Sequence, residues 1–199
     1  AMLAAMAAPH ASSIERLGPV PDRLDAMLAA LDKAADADVI VTSGGASVGD
    51  HDLVRPALEQ WGAEIDFWRV AMRPGKPLLV ARRGRQVVLG VPGNPVSSYV
   101  CSFLFLLPLL KKLAGRTDLA HRPIAAKLGR DLPSNDERAD YLRATLSEDH
   151  DGTLVATPLP LQDSSLMANL AKADCLLIRE PYALISKAGS HCVILKLRL

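Results

Sequence analysis

The sequence predicts an α/β domain with a mostly parallel sheet over residues 1–117, followed by a small all-β barrel or sandwich over residues 118–199. Three observations carry this division. Val39-Ile40-Val41 is a run of β-branched residues, the pattern of a strand covered on both faces as in a parallel sheet, and it runs into a glycine-rich loop. Strand-like and helix-like segments alternate up to Thr117. Beyond it, short strand-like segments follow one another with turn residues between them and no long helix.

The elements follow in order. Ala1 to Ala8 reads as a helix ended by Pro9, and Ile14 to Leu17 as a short strand. Asp22 stands as the cap of an amphipathic helix whose Leu24, Met27, Leu28, Leu31 and Ala35 fall on one stripe. After the focal strand and loop, with Asp50 or Asp52 as its cap, a helix runs to Trp61 and stops at Gly62. Ile65 to Met72 reads as one strand, and Leu78–Ala81 with Gln86–Leu89 as a hairpin turning through Arg82-Arg83-Gly84-Arg85, whose arginines are read as solvated. Asn94 is placed to cap, and Pro95 to open, a helix from Val96 to about Leu113 with Pro108 as a kink and Gly115 beyond. That helix is apolar almost all round from Tyr99 to Leu110, which suits core burial or a subunit interface and is too short to span a bilayer. The barrel segments are Pro123–Leu132, Tyr141–Ser147, Thr153–Pro158, Cys175–Arg179 and Cys192–Leu197, with Asp149-His150-Asp151-Gly152 the strongest turn.

Composition excludes several functions. Of 199 residues, 49% are apolar and 23% charged, ordinary for a globular protein, and a formal net charge of +1 with 4% aromatic residues and no basic run argues against nucleic acid. Cys101, Cys175 and Cys192 are odd in number and far apart, which fits reduced thiols in a cytoplasmic protein better than a disulfide framework. No secretory signal is visible, and the scattered histidines form no zinc-ligand pattern. Neither G-x-x-x-x-G-K-[ST] nor G-x-G-x-x-G occurs.

The chemistry concentrates in three loops. In Ser43-Gly44-Gly45-Ala46-Ser47-Val48-Gly49-Asp50-His51-Asp52, glycines let a ligand approach the main chain and serines add donors, at the carboxyl end of a strand and the start of a helix. That place suits a phosphate. Asp50 and Asp52 beside a phosphate imply a divalent cation between the charges, and Mg²⁺ prefers such a mixed oxygen set. Arg73-Pro74-Gly75-Lys76-Pro77 carries two cations on a proline-braced turn, suited to holding an oxyanion. Gly45-Ala46-Ser47-Val48-Gly49 also fits the elbow of a serine hydrolase, a reading that leaves the Arg73–Lys76 turn unexplained.

Together with Val91-Pro92-Gly93-Asn94-Pro95-Val96-Ser97, these loops resemble the molybdopterin molybdenumtransferase (MoeA and gephyrin E-domain) family in order and spacing, and only its C-terminal half. The resemblance implies a three-layer, MogA-like molybdopterin-binding domain whose first strand is missing here, then the family's C-terminal β-barrel. It implies insertion of molybdate into adenylylated molybdopterin with release of AMP and participation of Mg²⁺. By the same resemblance Asp52 engages the metal or the reacting phosphate and Lys76 holds an oxyanion, while Ser43, Gly44, Gly45, Ser47, Gly49, Gly93, Asn94 and Ser97 bind substrate. Arg73, Arg138 and Ser164 complete the substrate set, the last two matching residues the family places near molybdate. A homodimer, a molybdopterin adenylyltransferase as partner, and no contact with nucleic acid or membrane are further implications.

Two departures stand out: Arg73 replaces a lysine of the best-known members, and Asp163 replaces a common glycine beside Ser164. Family members are about twice as long, so the chain is expected to be a truncated product or the ordered part of a longer one, poorly active alone. The alternatives are a MogA-like molybdopterin adenylyltransferase, against which the Pro-Gly-Lys-Pro turn and the β-domain argue, and a noncatalytic gephyrin-E-like scaffold.

Overall fold

The structure, a computed structural model, describes residues 1–44, 53–163, 165 and 167–197. The chain forms two units: Ala1–Val70 with Gly75–Leu119, and Ala71–Pro74 with Ala120–Leu199.

In the first unit, α1 (Met2–Ala7), α2 (Leu24–Lys33), β1 (Val39–Ser43), α3 (Val54–Gln60) and β2 (Glu64–Trp68) come first in the chain. The two-residue β3 (Met72–Arg73) belongs to the second unit, after which β4 (Leu79–Arg83), β5 (Gln86–Val91), α4 (Pro95–Cys101) and α5 (Leu107–Leu113) complete the first. Its sheet has the order β1-β5-β4-β2. Only β1 and β5 run parallel; β4 is antiparallel to both β5 and β2, so the sheet is mixed rather than mostly parallel. The cause is the tight turn at Gly84 (φ +59°), which returns β5 directly alongside β4 and leaves no room for a crossover helix.

Both faces of this sheet are covered. On one, Ile40, Leu79, Ala81 and Val88 pack with Leu31 of α2 and with Val54, Ala57 and Leu58 of α3. On the other, Val39, Val41, Leu89 and Val91 meet Leu3, Cys101, Leu106 and Leu110. Residues of both parities along each strand are therefore apolar, which is why Val39-Ile40-Val41 reads as a continuous run. Fully burying side chains such as Leu58, Leu79 and Val88, each 0% exposed, stabilises the unit by roughly 1.5–3 kcal/mol apiece.

Residues 95–113 form one helical run whose middle turn, Ser102–Leu106, is a π-helix. Pro108 lacks the N–H that would bond the carbonyl four residues earlier, and the widened turn accommodates that loss. Beyond its end, Gly115 (φ +74°) and Arg116 donate backbone N–H groups to Lys112 and Lys111 carbonyls and close the helix. The run Pro95–Leu113 is long and apolar enough to cross a membrane, longer than the Tyr99–Leu110 stretch suggested. Val96, Val100, Cys101, Phe103 and Leu106 are nevertheless buried, as in a core helix. Leu104, Phe105, Leu107, Leu109 and Leu110 are half-buried.

Several local expectations change. Arg23, not Asp22, stands at the cap of α2, and its guanidinium turns to Asp25. Ile14–Leu17 joins no strand ladder and leaves both end residues exposed. The strand expected over Ile65–Met72 breaks at Arg69, whose φ of +88° takes it out of extended backbone, and Met72–Arg73 joins the other unit's sheet. The capping role expected of Asp50 or Asp52 lies outside the described residues; Leu53 precedes α3 with no side-chain cap. The arginines read as solvated, Arg82, Arg83 and Arg85, are exposed as expected; Arg82 also pairs with Asp66 at 2.6 Å and Arg83 lies 4.0 Å from the Trp61 ring centroid.

The second unit is a closed barrel of β6 (Ile124–Leu128), β7 (Ala139–Glu148), β8 (Leu154–Pro158), β9 (Cys175–Arg179) and β10 (His191–Lys196). Its sheet runs β3-β7-β8-β6-β10-β9 and closes where β7 also pairs with β9. The ten residues of β7 make closure possible: Asp140–Ala144 pairs with β9 and Ala144–Glu148 with β8. Leu128, Leu142, Ala144, Ala156, Leu177 and Ile194 fill the interior. A short helix, α6 (Met167–Lys172), lies between β8 and β9 and was not foreseen; Leu170 is its only buried residue among those described. Burial pushes the thiols of Cys101 and Cys175 up to about 12, so neither is a thiolate near neutral pH.

Candidate functional site

The first unit brings two of the three motif loops together. β1 and β5 are parallel neighbours whose register pairs Ser43 with Val91, so both chains leave the sheet at the same edge. Gly44 continues the ladder by one bond, its N–H donating to the Val91 carbonyl at 3.1 Å. Beyond this the backbones touch: a Cβ on Gly93 would stand 3.2 Å from the Gly44 Cα. Gly44 itself has φ +87°, so glycine suits both positions, one for conformation and one for close approach. Such a crevice outside the carboxyl ends of parallel strands is where open α/β sheets bind ligands.

Asn94 completes the second loop. Its Oδ1 accepts from the backbone N–H groups of Val96 (3.1 Å) and Ser97 (3.3 Å), the capping role its place before Pro95 predicts. The first amides of the helix are thus already satisfied, and an anion here meets the helix dipole and main chain beside a filled cap. Ser97 is buried in the first turn, and the Ser98 hydroxyl donates to the Pro92 carbonyl and holds the loop down. Thr42, one residue before the crevice, has a buried hydroxyl oxygen with no partner among the described residues. Nothing in the sequence singled it out. Gly45, Ser47, Gly49 and Asp52, and Ser164 in the barrel, lie outside the described residues.

Lys76 is exposed, and its ammonium has no hydrogen bond or ion pair among the described residues. Its backbone is fixed, however, by the Val70 and Leu78 N–H groups, both donating to the Lys76 carbonyl at 3.0 Å.

Arg73 and Arg138 are placed in the second unit and share one carboxylate. Arg73 Nη1 lies 3.2 Å and Arg138 Nη2 2.9 Å from Asp136 Oδ2. Arg73 also forks onto buried Asp140 through Nε (2.7 Å) and Nη2 (2.8 Å). Hydrogen bonds from the Arg138 side chain and backbone hold the Asp136 carboxyl down at about 2. Arg138 Nε is buried without a partner among the described residues. Asp136 and Asp140 carry no motif signal, and only the fold shows that they face these arginines.

The same unit carries a cleft of about 220 Å³, lined among others by Arg73, Arg130, Asn135, Asp140, Gln162 and Arg179. Arg179 donates to the carbonyls of Pro133 and Leu184, both at 2.8 Å, and to the Ser186 hydroxyl. Gln162 bonds both the N–H and the carbonyl of Arg143, each at 2.9 Å, pinning the segment before Asp163 to β7. Arg143 is 1% exposed, and burial lowers its pKa.

Comparison with known proteins matches these units separately. Residues 1–112 match the family described as probable molybdopterin binding domain, and residues 125–197 the MoeA C-terminal region (domain IV). The molybdopterin molybdenumtransferase of Bacillus subtilis is 36% identical over 164 residues, covering 81% of this chain and 38% of the relative. The gephyrin of Dictyostelium discoideum is 33% identical over 190 residues, covering 83% of this chain and 26% of the relative. The crystal structure of the molybdopterin biosynthesis MoeA protein of Pyrococcus horikoshii superposes with a TM-score of 0.73 at 26% identity, over 90% of this chain and 42% of that one. This chain therefore spans well under half the length of these relatives. The chain belongs to the molybdopterin-binding family of molybdenum-cofactor biosynthesis, with a MoeA-type C-terminal region following its binding domain.

Proposed function

We propose that the protein to which this chain belongs inserts molybdate into adenylylated molybdopterin and releases AMP. The observation that carries the reading is the contact of two glycine loops at the carboxyl ends of β1 and β5. It opens backbone, without side-chain bulk, to an anionic ligand beside a helix N-terminus.

In this reading Ser43, Gly44, Gly45, Ser47 and Gly49 hold a phosphate of the substrate from one side, and Gly93, Asn94 and Ser97 line the other. Lys76 is a positive charge with no competing carboxylate among the described residues, suited to an oxyanion. On the barrel unit, Arg138 and Ser164 are the residues that the family resemblance assigns to molybdate; the cleft of about 220 Å³ on that unit is lined by Arg73, Arg130 and Arg179 among others. Asp52 is the group that would hold Mg²⁺ or act on the reacting phosphate. Among the described residues no three His, Cys, Asp or Glu side chains cluster as metal ligands. The barrel unit favours this transferase over a MogA-like adenylyltransferase, which would instead supply its substrate as a partner. The half-buried leucines of the Pro95–Leu113 helix suit a homodimer contact, and a cytoplasmic place suits the free thiols.

The test is AMP release from adenylylated molybdopterin by the full-length protein, with molybdate and Mg²⁺. Molybdate-dependent release is expected, falling about 100-fold or more in Asp52→Ala and about tenfold in Lys76→Ala. A folded full-length protein that releases no AMP would sink the enzyme reading and favour the scaffold.

A further inference from the structure

We infer that Arg73 is a positioning residue, a clamp that anchors residues 71–74 onto β7, and not itself a receptor for the oxyanion; this rests on the transferase reading above. The backbone link it reinforces is short. β3 has two residues, pairing Met72 with Ala139 and Arg73 with Asp140, and one further bond joins the Ala139 N–H to the Ala71 carbonyl at 2.9 Å. Around it the Arg73 guanidinium makes four bonds. Nε and Nη2 reach the two oxygens of Asp140 at 2.7 and 2.8 Å, Nη1 reaches Asp136 at 3.2 Å, and Nη2 reaches Asn135 Oδ1 at 3.2 Å.

Charge and geometry point the same way. Two guanidiniums, Arg73 and Arg138, stand against two carboxylates, Asp136 and Asp140, so the group is neutral as a whole. An oxyanion approaching Arg73 would meet those carboxylates first. Lys76, three residues on, faces no such carboxylate among the described residues. The clamp needs arginine in particular, because a planar fork spans both oxygens of Asp140 while a third nitrogen turns to Asp136. A lysine ammonium concentrates its donors on one nitrogen and cannot reproduce that spread.

The experiment uses the full-length protein with Arg73→Lys, Arg73→Gln, Asp140→Asn, the double variant Arg73→Gln/Asp140→Asn, and Lys76→Gln. Denaturant unfolding of the two single variants and the double variant forms a cycle; the clamp predicts strong coupling, the double no less stable than the worse single. In AMP release, Arg73→Lys and Arg73→Gln should both lower kcat about tenfold and leave the molybdate KM within about twofold, whereas Lys76→Gln raises that KM. Additive unfolding effects would overturn the clamp. Arg73→Lys at wild-type activity, with Arg73→Gln raising the molybdate KM, would make Arg73 a point-charge receptor instead. If the unmodified protein releases no AMP, the transferase reading fails while the unfolding cycle still decides the clamp. Should a single variant not fold, Arg73→Lys against the wild type takes its place: the clamp predicts a lower denaturant midpoint, and an unchanged midpoint would overturn it.

Discussion

The crevice at β1 and β5 and the arginine cluster on β7 are built by opposite means. The crevice is made of main chain: two glycines in contact, a ladder bond from Gly44, and a helix whose first amides are held by Asn94. The cluster is made of side chains, in which Arg73, Arg138, Asp136 and Asp140 neutralise one another. The first suits an anion by exposing backbone, whereas the second spends its charge on itself. The crevice should therefore respond to added atoms and hardly to salt or pH, and the cluster the reverse.

The largest break of that contrast is Gly44→Val. A β-branched residue forced to φ +87° costs about 2 kcal/mol, read as a lower denaturant midpoint, and crowds the crevice. The full-length variant should also lose affinity for adenylylated molybdopterin in calorimetry. An unchanged midpoint and affinity would mean that Gly44 is not held as described.

Asn94→Ala comes next. It removes the acceptor for the Val96 and Ser97 amides and should cost about 1 kcal/mol in the same unfolding measurement. The freed amides then become available to phosphate, so part of that loss should return when inorganic phosphate is added. A loss insensitive to phosphate would confine Asn94 to structure.

The smallest effect belongs to the cluster and appears only in acid. The Asp136 carboxyl titrates at about 2 in the folded chain, below its ordinary 3.8, chiefly through the bond from Arg138. A depressed carboxyl contributes stability above its unfolded pKa, lost as pH falls through about 2. Because Asp136 is exposed to solvent the contribution is small. Its carboxyl titration, followed by NMR, should move up toward 3.8 in Arg138→Ala, while the crevice resonances stay put between pH 4 and 2. A titration unmoved by that substitution would remove Arg138 as the cause.

The same contrast separates what could be read in advance. Gly44, Gly93, Asn94 and Pro95 announce themselves because backbone geometry restricts the residue type at those places. The five barrel strands were visible from their short apolar runs and turns, the closest being Cys175–Arg179. The partners of Arg73 were not visible: Asp140 lies 67 residues away, and its residue type does not say which distant cation it faces.

By itself the sequence determined the α/β unit and an all-β unit after it, the hairpin at Gly84, the capped start and glycine-closed end of the Pro95–Leu113 helix, and the glycines of the crevice. These depend on conformational preference and periodicity within a few residues. Tertiary structure alone decided that the all-β unit closes through the β7–β9 pairing, that Met72–Arg73 leaves the first unit to pair with β7, that α6 forms between β8 and β9, and that the guanidinium of Arg73 is spent on Asp140. Each of those depends on which distant segment supplies the missing hydrogen bonds and countercharge, and no local pattern carries that information.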